Sequence, residues 1–539
     1  MKKIILNISL VGSVLLSLGA LQSCNDALET NPQPGMIQDD GTPFENTDAL
    51  YGYLMGSVYG TLEPSTAMYL SAVISDEVKP GSGSGGQEFS LHRFFLNSQD
   101  AQATAIWQNN YAVINHVNRL VRGAEAITPV STADGARLNN IVAQARALRA
   151  YAYLQLESLY SENMADPNAL GVILLKDVPD LNAKLPRVKN SEIYSFIEED
   201  LTYAKSVLTS ESTNQYFVGK SAVNAIAARY FLYKGDYAQA KANAQAVINA
   251  AAGNFPLTPA TPYTVNDANG NPLPVDGTAW RNQFYAVGAS FNPYRSMWVD
   301  ASRGESIFSL GRIAAAGNGA AVGSYWNTNN SSISGSPMWF WGRNLYNLLL
   351  AGYNNGTGGD IRYLTYRDPS SIPNANYAAL YPNNLAQTRT SDRLVVDKYP
   401  GKQGSNTRND LKLLRLSEMY FILAECAIND NQLSTAAGYI KNVRDARNYL
   451  GPTTLPTYAN QQAAWADVLK ERRIELALEG HRYIDLKRLA TKAGVTMDRN
   501  NTDDIVLTSN LDNGDYRYTL PIPLSEISAN PNIQQNTGY

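Results

Sequence analysis

"ERRIELALEGHRYIDLKR", residues 471–488, places nine charged side chains and one of the chain's three histidines within eighteen residues. Titratable groups gather this way in catalytic sites, on solvated helix faces, and in buried ion-pair networks that only hold a scaffold. The residues just upstream decide between these. Trp465, Val468, Leu469 and Leu476 fall at relative positions 0, 3, 4 and 11, along one face of a helix. Arg472 and Glu479 continue that apolar stripe, where a charge must be paired or is very costly. Glu475 and Glu479 are in i±3 reach of Arg472 and Arg482 respectively, with Arg415, Glu418 and Glu425 as further candidate partners. Gly480 permits a turn or a close approach. The stretch reads as an ion-pair lock between helices, and the chain around it as a helical scaffold.

Other segments repeat the helical period. In "NSEIYSFIEEDLTYAKSVL", Ile193, Phe196, Ile197, Leu201, Ala204, Val207 and Leu208 form one apolar stripe. "ARALRAYAYLQLESLY" at 145–160 does the same, and further helices fit 101–122, 221–251, 416–429, 433–447 and 462–479. Two segments read as helical hairpins: "AARYFLYKGDYAQAKANAQAVI" and "AECAINDNQLSTAAGYIKNVRDA". Ala228, Tyr237 and Ala240 in the first have the spacing of Ala424, Leu433 and Ala436 in the second, and such pairs look like tetratricopeptide hairpins. The expected fold is mainly α, with a helical scaffold over 45–250 and 410–490 and an extended segment over 505–539. Residues 251–410 differ, holding 17 of the 39 glycines. They are expected to form an irregular, loop-rich lobe, with "SIFSL" and "LVVDKY" as short strands. Long irregular stretches of this kind are usually functional.

The N-terminus sets the compartment. Lys2 and Lys3 precede a mostly apolar run from Ile4 to Leu21, the layout of a secretory signal over residues 1–23. Leu21-Gln22-Ser23-Cys24 resembles a bacterial lipobox, which makes Cys24 the expected lipidation site. Cys426, the other cysteine, reads as a small apolar helix residue. Net charge is −4, with no basic stripe to suggest a nucleic-acid partner. The three histidines and two cysteines show no metal-ligand spacing, so no metal or cofactor is expected.

Five of the seven tryptophans lie between 280 and 341. Exposed aromatic faces suit the axial C–H face of a sugar, with Asn, Asp or Arg at the rim for its hydroxyls, and a few such groups make a small-ligand site. The alternative is that these rings fill the core of the lobe. The expected platform lies within Tyr294, Trp298, Tyr325, Trp326, Trp339 and Trp341, where Gly323, Gly335 and Gly342 allow turns that lift a ring outward. The 80–97 loop, with Phe89, Phe94 and Phe95, is the next candidate. Its stretch "PGSGSGGQEF" lacks the lysine and spacing of a phosphate-binding loop and reads as a surface loop. Glycoside hydrolysis generally asks for two carboxyl groups about 5 to 9.5 Å apart. The only acids between 280 and 341 are Asp300 and Glu305. No nucleophile elbow, zinc motif or dinucleotide fingerprint is present, so no catalytic residue is assigned.

"NDLKLLRLSEMYFILAECA" (409–427), the opening stretch and "YTLPIPLSEISANPNIQQNTGY" (518–539) resemble the C-terminal signatures of the SusD/RagB family. "ARALRAYAYLQLESLY" matches its N-terminal helix signature and Cys24 its lipid anchor. "SENMADPNAL", after Tyr160, departs from the short Gly-Asp-x-Pro turn usual there. The resemblance implies four tetratricopeptide-like units and a non-enzymatic lipoprotein of the outer membrane that captures glycans. It implies a SusC-like TonB-dependent transporter as partner, with this protein as its hinged lid. The RagB branch captures peptides instead, and a surface glycosidase is a more distant alternative. Asn25, Asp26 and Glu29 resemble the surface-export signal of Bacteroidetes lipoproteins. The resemblance transfers no ligand residue.

Overall fold

A computed structural model describes residues 44–84, 86, 89–180, 182–315, 319–326, 337–506 and 510–539. The expected signal segment and Cys24 lie outside the described residues. Among those residues, eleven helices have ten or more residues. They are α1 (Ser65–Ile74), α2 (Ala101–Ala124), α3 (Thr132–Tyr160), α4 (Asn190–Val207), α5 (Lys220–Lys234), α6 (Tyr237–Ala251), α7 (Arg343–Tyr353), α8 (Leu416–Asn429), α9 (Leu433–Arg447), α10 (Gln461–Glu475) and α11 (Arg482–Ala493). Strands are short and few, and the mainly helical class expected from the sequence is the observed one.

Side-chain caps set where these helices begin. Asp100, Ser131 and Asn460 accept hydrogen bonds from Ala103, Asp134 and Ala463 at 2.8, 3.1 and 2.9 Å, satisfying amides with no partner inside the helix. Between α5 and α6, Gly235 takes φ +88° and closes α5 with bonds to the Leu232 and Phe231 carbonyls. Asp236 then caps α6 by accepting from the Gln239 amide at 3.0 Å. Helices pair with their successors as α2–α3, α5–α6, α8–α9 and α10–α11, and α6 also packs on α8. Alanines make this possible: Ala228, Ala240, Ala424 and Ala436 are fully buried where the helices meet. Cys426 is buried in the same seam, and burial pushes its thiol up to about 12, so it stays an unreactive thiol.

Of three antiparallel strand pairs, two tie the lobe to the scaffold. β1 (Val78–Pro80) pairs with β5 (Trp339–Trp341), β2 (Leu170–Ile173) with β3 (Arg187–Lys189), and β4 (Ser306–Leu310) with β6 (Leu411–Arg415). "SIFSL" is β4, whereas "LVVDKY" makes only a single bridge, Val396 to Arg367. Helix α7 has no counterpart among the expected elements. Its apolar stripe of Leu345, Tyr346 and Leu349 is short and lies between glycine-rich turns.

The opening stretch is a buried lock. Arg415, at the end of β6, reaches Glu305 at 2.7 Å, Glu475 at 2.8 Å and Glu479 at 2.7 Å. Arg447, at the end of α9, reaches Glu305 at 2.8 Å and Glu475 at 2.9 Å. Lys398 bonds Glu479 at 2.7 Å and the carbonyl of Ala477 at 2.7 Å. Arg472 holds Asp485 at 2.7 Å, with Glu425 behind it at 3.5 Å. The intrahelical pairs expected of Glu475 with Arg472 and Glu479 with Arg482 do not form. Helix α10 ends at Glu475 and the chain turns through Leu478 (φ +62°) and Gly480 (φ +88°), so Glu479 leaves the helix. Arg482 turns instead to Asp76 at 2.7 Å, and Glu418 to Arg229 at 2.6 Å. Burial alone would raise Glu475, but the Arg447 and Arg415 guanidiniums overcome it and hold the carboxyl well below its usual range. Burial, with Arg229 and Arg472 nearby, holds His481 well below its usual value and therefore neutral. The cavity beside His481 is about 30 Å³, room for a water and not for a substrate.

Candidate ligand-binding face

Five of the six rings expected to form a platform are sealed in the core. Tyr294, Trp298, Trp339 and Trp341 are 0% exposed and Trp326 is 1% exposed. Trp341 donates its indole N–H to the Tyr366 carbonyl at 2.9 Å, and Trp339 donates to the Tyr69 hydroxyl at 2.9 Å. Tyr294 shares a 2.6 Å hydrogen bond with Tyr366. Trp298 lies under the lock, with Lys398 and Arg415 4.6 and 5.3 Å from its ring. This corrects the expectation of outward-facing rings at these positions, and the glycines give the reason. A Cβ on Gly323 would sit 2.9 Å from the Thr407 and Tyr399 carbonyl oxygens, and one on Gly342 3.1 Å from that of Asp76. These glycines let backbones close on one another and draw the rings inward. Gly335 lies outside the described residues. Tyr325 alone of the six is half-buried, its ring 4.8 Å from Tyr69.

The same closure brings the 80–97 loop against the aromatic strand. Beyond the β1–β5 register, Gly81 donates to the Met338 carbonyl at 2.7 Å and Gly83 to that of Pro337 at 2.9 Å. A Cβ on Gly81 would lie 2.2 Å from the Pro337 oxygen, so only glycine fits there. The two candidate regions of the sequence are therefore neighbours in space. The short helix Phe89–His92 follows the loop, and burial lowers the His92 pKa well below its usual value.

Phe94 then takes φ +65°, a conformation that strains a bulky residue by about 1–3 kcal/mol. It persists because Phe94 is buried beneath Arg499, whose guanidinium is 4.3 Å from the ring. Arg499 is itself fixed by donating to the carbonyls of Val73, Ile74 and Ser75 at the end of α1, at 3.1, 2.9 and 2.7 Å. The turn presents Phe95 outward at 69% exposure, the highest of any aromatic described. Other exposed apolar side chains lie close by. Arg93 grips Asp504 through two bonds of 2.7 and 2.9 Å, which brings Ile505 and Val506 to this edge, and the Leu524 amide bonds the Ser98 carbonyl at 2.8 Å. Phe89 lies between this edge and the loop, its centroid 4.5 Å from the Arg93 guanidinium and 4.7 Å from that of Arg389.

Ring faces and guanidinium forks suit recognition of a polar molecule with apolar faces. The two acids between 280 and 341 are already engaged. Glu305 belongs to the lock, and Asp300 pairs with Lys412 at 2.6 Å. Among the described residues no group of three or more His, Cys, Asp or Glu is placed to hold a metal. Two clefts of about 890 and 720 Å³ are lined mainly by residues of the scaffold and contain none of the six expected rings. Sequence reasoning placed Phe95 only as a second choice and missed Arg93, Arg389 and Asp504. The one available signal was a phenylalanine doublet in a stretch with no period.

Comparison with known proteins places the whole chain. Residues 321–539 match the model described as "SusD family", and residues 55–232 match that described as "Starch-binding associating with outer membrane". SusD-like protein P2 of Formosa agariphila is 24% identical, over 97% of this chain and 98% of the relative. A SusD superfamily protein from Bacteroides thetaiotaomicron has the same fold, with TM-score 0.69 and 23% identity over 91% of this chain and 99% of its own. A laminarin-binding SusD-like protein aligns with TM-score 0.61 and 21% identity, over 92% of this chain and 100% of its own.

Proposed function

The chain belongs to the SusD/RagB family, and from that premise we propose that it is a lipoprotein of the outer-membrane surface, anchored at Cys24, that captures glycans for a SusC-like TonB-dependent transporter. The observation that carries the glycan reading is Phe95. A ring held 69% exposed by a strained neighbour is unfavourable for a fold alone, and it offers a flat surface to the C–H face of a sugar. The family model described as starch-binding and the laminarin-binding neighbour support a glycan as the ligand class. Arg93 and Arg389 stand at the rim, and Tyr325 is half-buried against Tyr69. The protein is proposed to act without chemistry, because the acids described above are engaged in ion pairs.

A panel of oligosaccharides and peptides tests this in one experiment. The purified protein should bind a glycan and leave its length unchanged. Turnover abolished by a single carboxylate substitution would replace the binding reading with a hydrolase, and binding of peptides alone would favour the peptide-capturing branch. For the anchor, Cys24→Ala should leave a folded protein that no longer fractionates with outer membrane after a high-salt wash.

A further inference from the structure

The corner where the 80–97 loop meets Arg389 carries more positive charge than its neighbours balance. Arg93 and Arg389 both lie against the Phe89 ring. The carboxylate at this corner, Asp504, is 2% exposed and gives both oxygens to Arg93. Asp504 also accepts from the Ile505 amide at 2.6 Å. Arg389 has no ion pair among the described residues. Its one bond, from Nη1 to the Ser84 carbonyl, is long at 3.4 Å, and its Nε and Nη2 are buried without a partner. The Ser84 hydroxyl, on the same loop, is also buried without a partner. Buried donors of this kind are costly unless an acceptor arrives, and a guanidinium without one favours a planar anion above all.

We infer that Arg389 and Ser84, backed by Arg93, recognise an anionic group on the glycan, so that the ligand is an acidic polysaccharide. The inference rests on the glycan reading given above. The shared chemistry is a planar or tetrahedral oxyanion, supplied by the carboxylate of a uronic acid or by a sulfate ester. Phe95 would take the apolar face of one sugar while the guanidinium fork of Arg389 takes the anion of that unit or the next. A charged hydrogen-bonded pair of this type changes affinity by roughly 10- to 100-fold.

The test uses the mature lipid-free protein and matched probes, with binding measured by calorimetry. The probes are oligogalacturonate and its carboxyl-reduced form, a chondroitin sulfate oligosaccharide and its desulfated form, neutral malto- and laminari-oligosaccharides, and a poly-glutamate peptide. At least one acidic oligosaccharide should bind about tenfold or more tightly than its neutralised partner. Loss of preference on carboxyl reduction identifies the uronate, and loss on desulfation the sulfate. Arg389→Gln should bring the ratio of acidic to neutralised affinity to within about twofold of one, a ratio in which any loss common to both probes cancels. Arg389→Lys, which keeps the charge and loses the fork, should retain part of the preference and serves if the glutamine variant does not fold. Equal binding of neutral and acidic glycans, with Arg389→Gln inert, would overturn the acidic preference and leave the glycan reading standing. Binding of no glycan of either charge would overturn both, as would binding of the acidic peptide alone.

Discussion

The lock and the Phe95 edge are two ways of placing costly groups, and they sort by exposure rather than by chemistry. The lock concentrates Arg415, Arg447, Lys398, Glu305, Glu475 and Glu479 in one place, every side chain 3% exposed or less and every carboxylate met by cations. By residue type it looks more like an active site than anything else in the chain. The Phe95 edge has one ion pair, Arg93 with Asp504, beside a strained backbone, an exposed ring and an unbalanced guanidinium. Satisfied charges make a scaffold. Unsatisfied groups beside an exposed ring point to a ligand. The contrast teaches that the density of reactive residue types is a weaker guide to function than whether those residues have partners.

The largest effect expected from breaking this contrast is in the lock. Glu475→Ala removes the carboxylate shared by Arg415, Arg447 and Arg362, leaving three guanidiniums buried around a void. Removing one partner of a buried ion pair costs about 3–5 kcal/mol. Thermal or denaturant unfolding should show a loss of that size, while the folded fraction keeps its glycan affinity. Unchanged unfolding with lost binding would make the lock the site. The Phe95 edge should behave in the opposite sense. Phe95→Ala should weaken glycan binding by about 2 kcal/mol, as a stacked ring does at a hot spot, with unfolding changed by under about 0.5 kcal/mol. A destabilised variant with intact binding would return Phe95 to a purely structural role.

Much of the scaffold was legible. The helices expected at 416–429 and 433–447 occur with those bounds, because a 3.6-residue stripe, alanines at the crossing and polar turn residues all agreed. Partners of the lock were partly legible. That charges on the Trp465 stripe must be paired followed from burial, but Arg447, Lys398 and Glu305 come from segments remote in sequence. Exposure at the candidate aromatics was not legible. Phe94 and Phe95 are the same residue side by side, yet they are 4% and 69% exposed, and only the backbone turn and Arg499 separate them. Likewise, glycine beside tryptophan permits either an outward turn or a close approach. The choice lies in what the other strand presents, here the backbone of Asp76 and Glu77 against Gly342.

Glu77 sharpens the comparison, because it joins the two regions. It lies between Asp76, which holds Arg482, and β1, which carries the 80–97 loop. It accepts from the Leu478 amide at 3.1 Å, while its other oxygen is buried without a partner. Burial pushes its carboxyl up to about 8, with Asp76 adding to the rise and the Leu478 bond opposing it. The folded protein thus keeps a proton that the unfolded chain releases above about pH 4.3. Its contribution is fully present below that pH and is lost as pH rises through about 8. Glu77→Gln copies the neutral form. It should lie closest to the parent near pH 4, and its advantage should grow by about 1.4 kcal/mol per pH unit, to a few kcal/mol at pH 8, read from denaturant unfolding across that range. No difference at pH 8 would mean that Glu77 ionises normally.

The smallest effects should come from Tyr325, which belongs to neither region fully. Its ring is half-buried and meets Tyr69 at 4.8 Å and Trp326 at 6.1 Å, so part of its surface is already committed to the core. An aromatic contact of that kind is worth about 0.5–1.5 kcal/mol beyond area burial. Its remaining surface faces outward in the lobe, where the sequence placed the platform. Tyr325→Ala should therefore lower stability by up to about 1 kcal/mol and weaken glycan binding about threefold, less than Phe95→Ala on the same ligand. Melting and titration on one preparation separate the two contributions. If Tyr325→Ala costs more affinity than Phe95→Ala, the platform extends from the 80–97 edge into the loop-rich lobe. The division between sealed rings and one exposed ring would then fail at the residue that joins them.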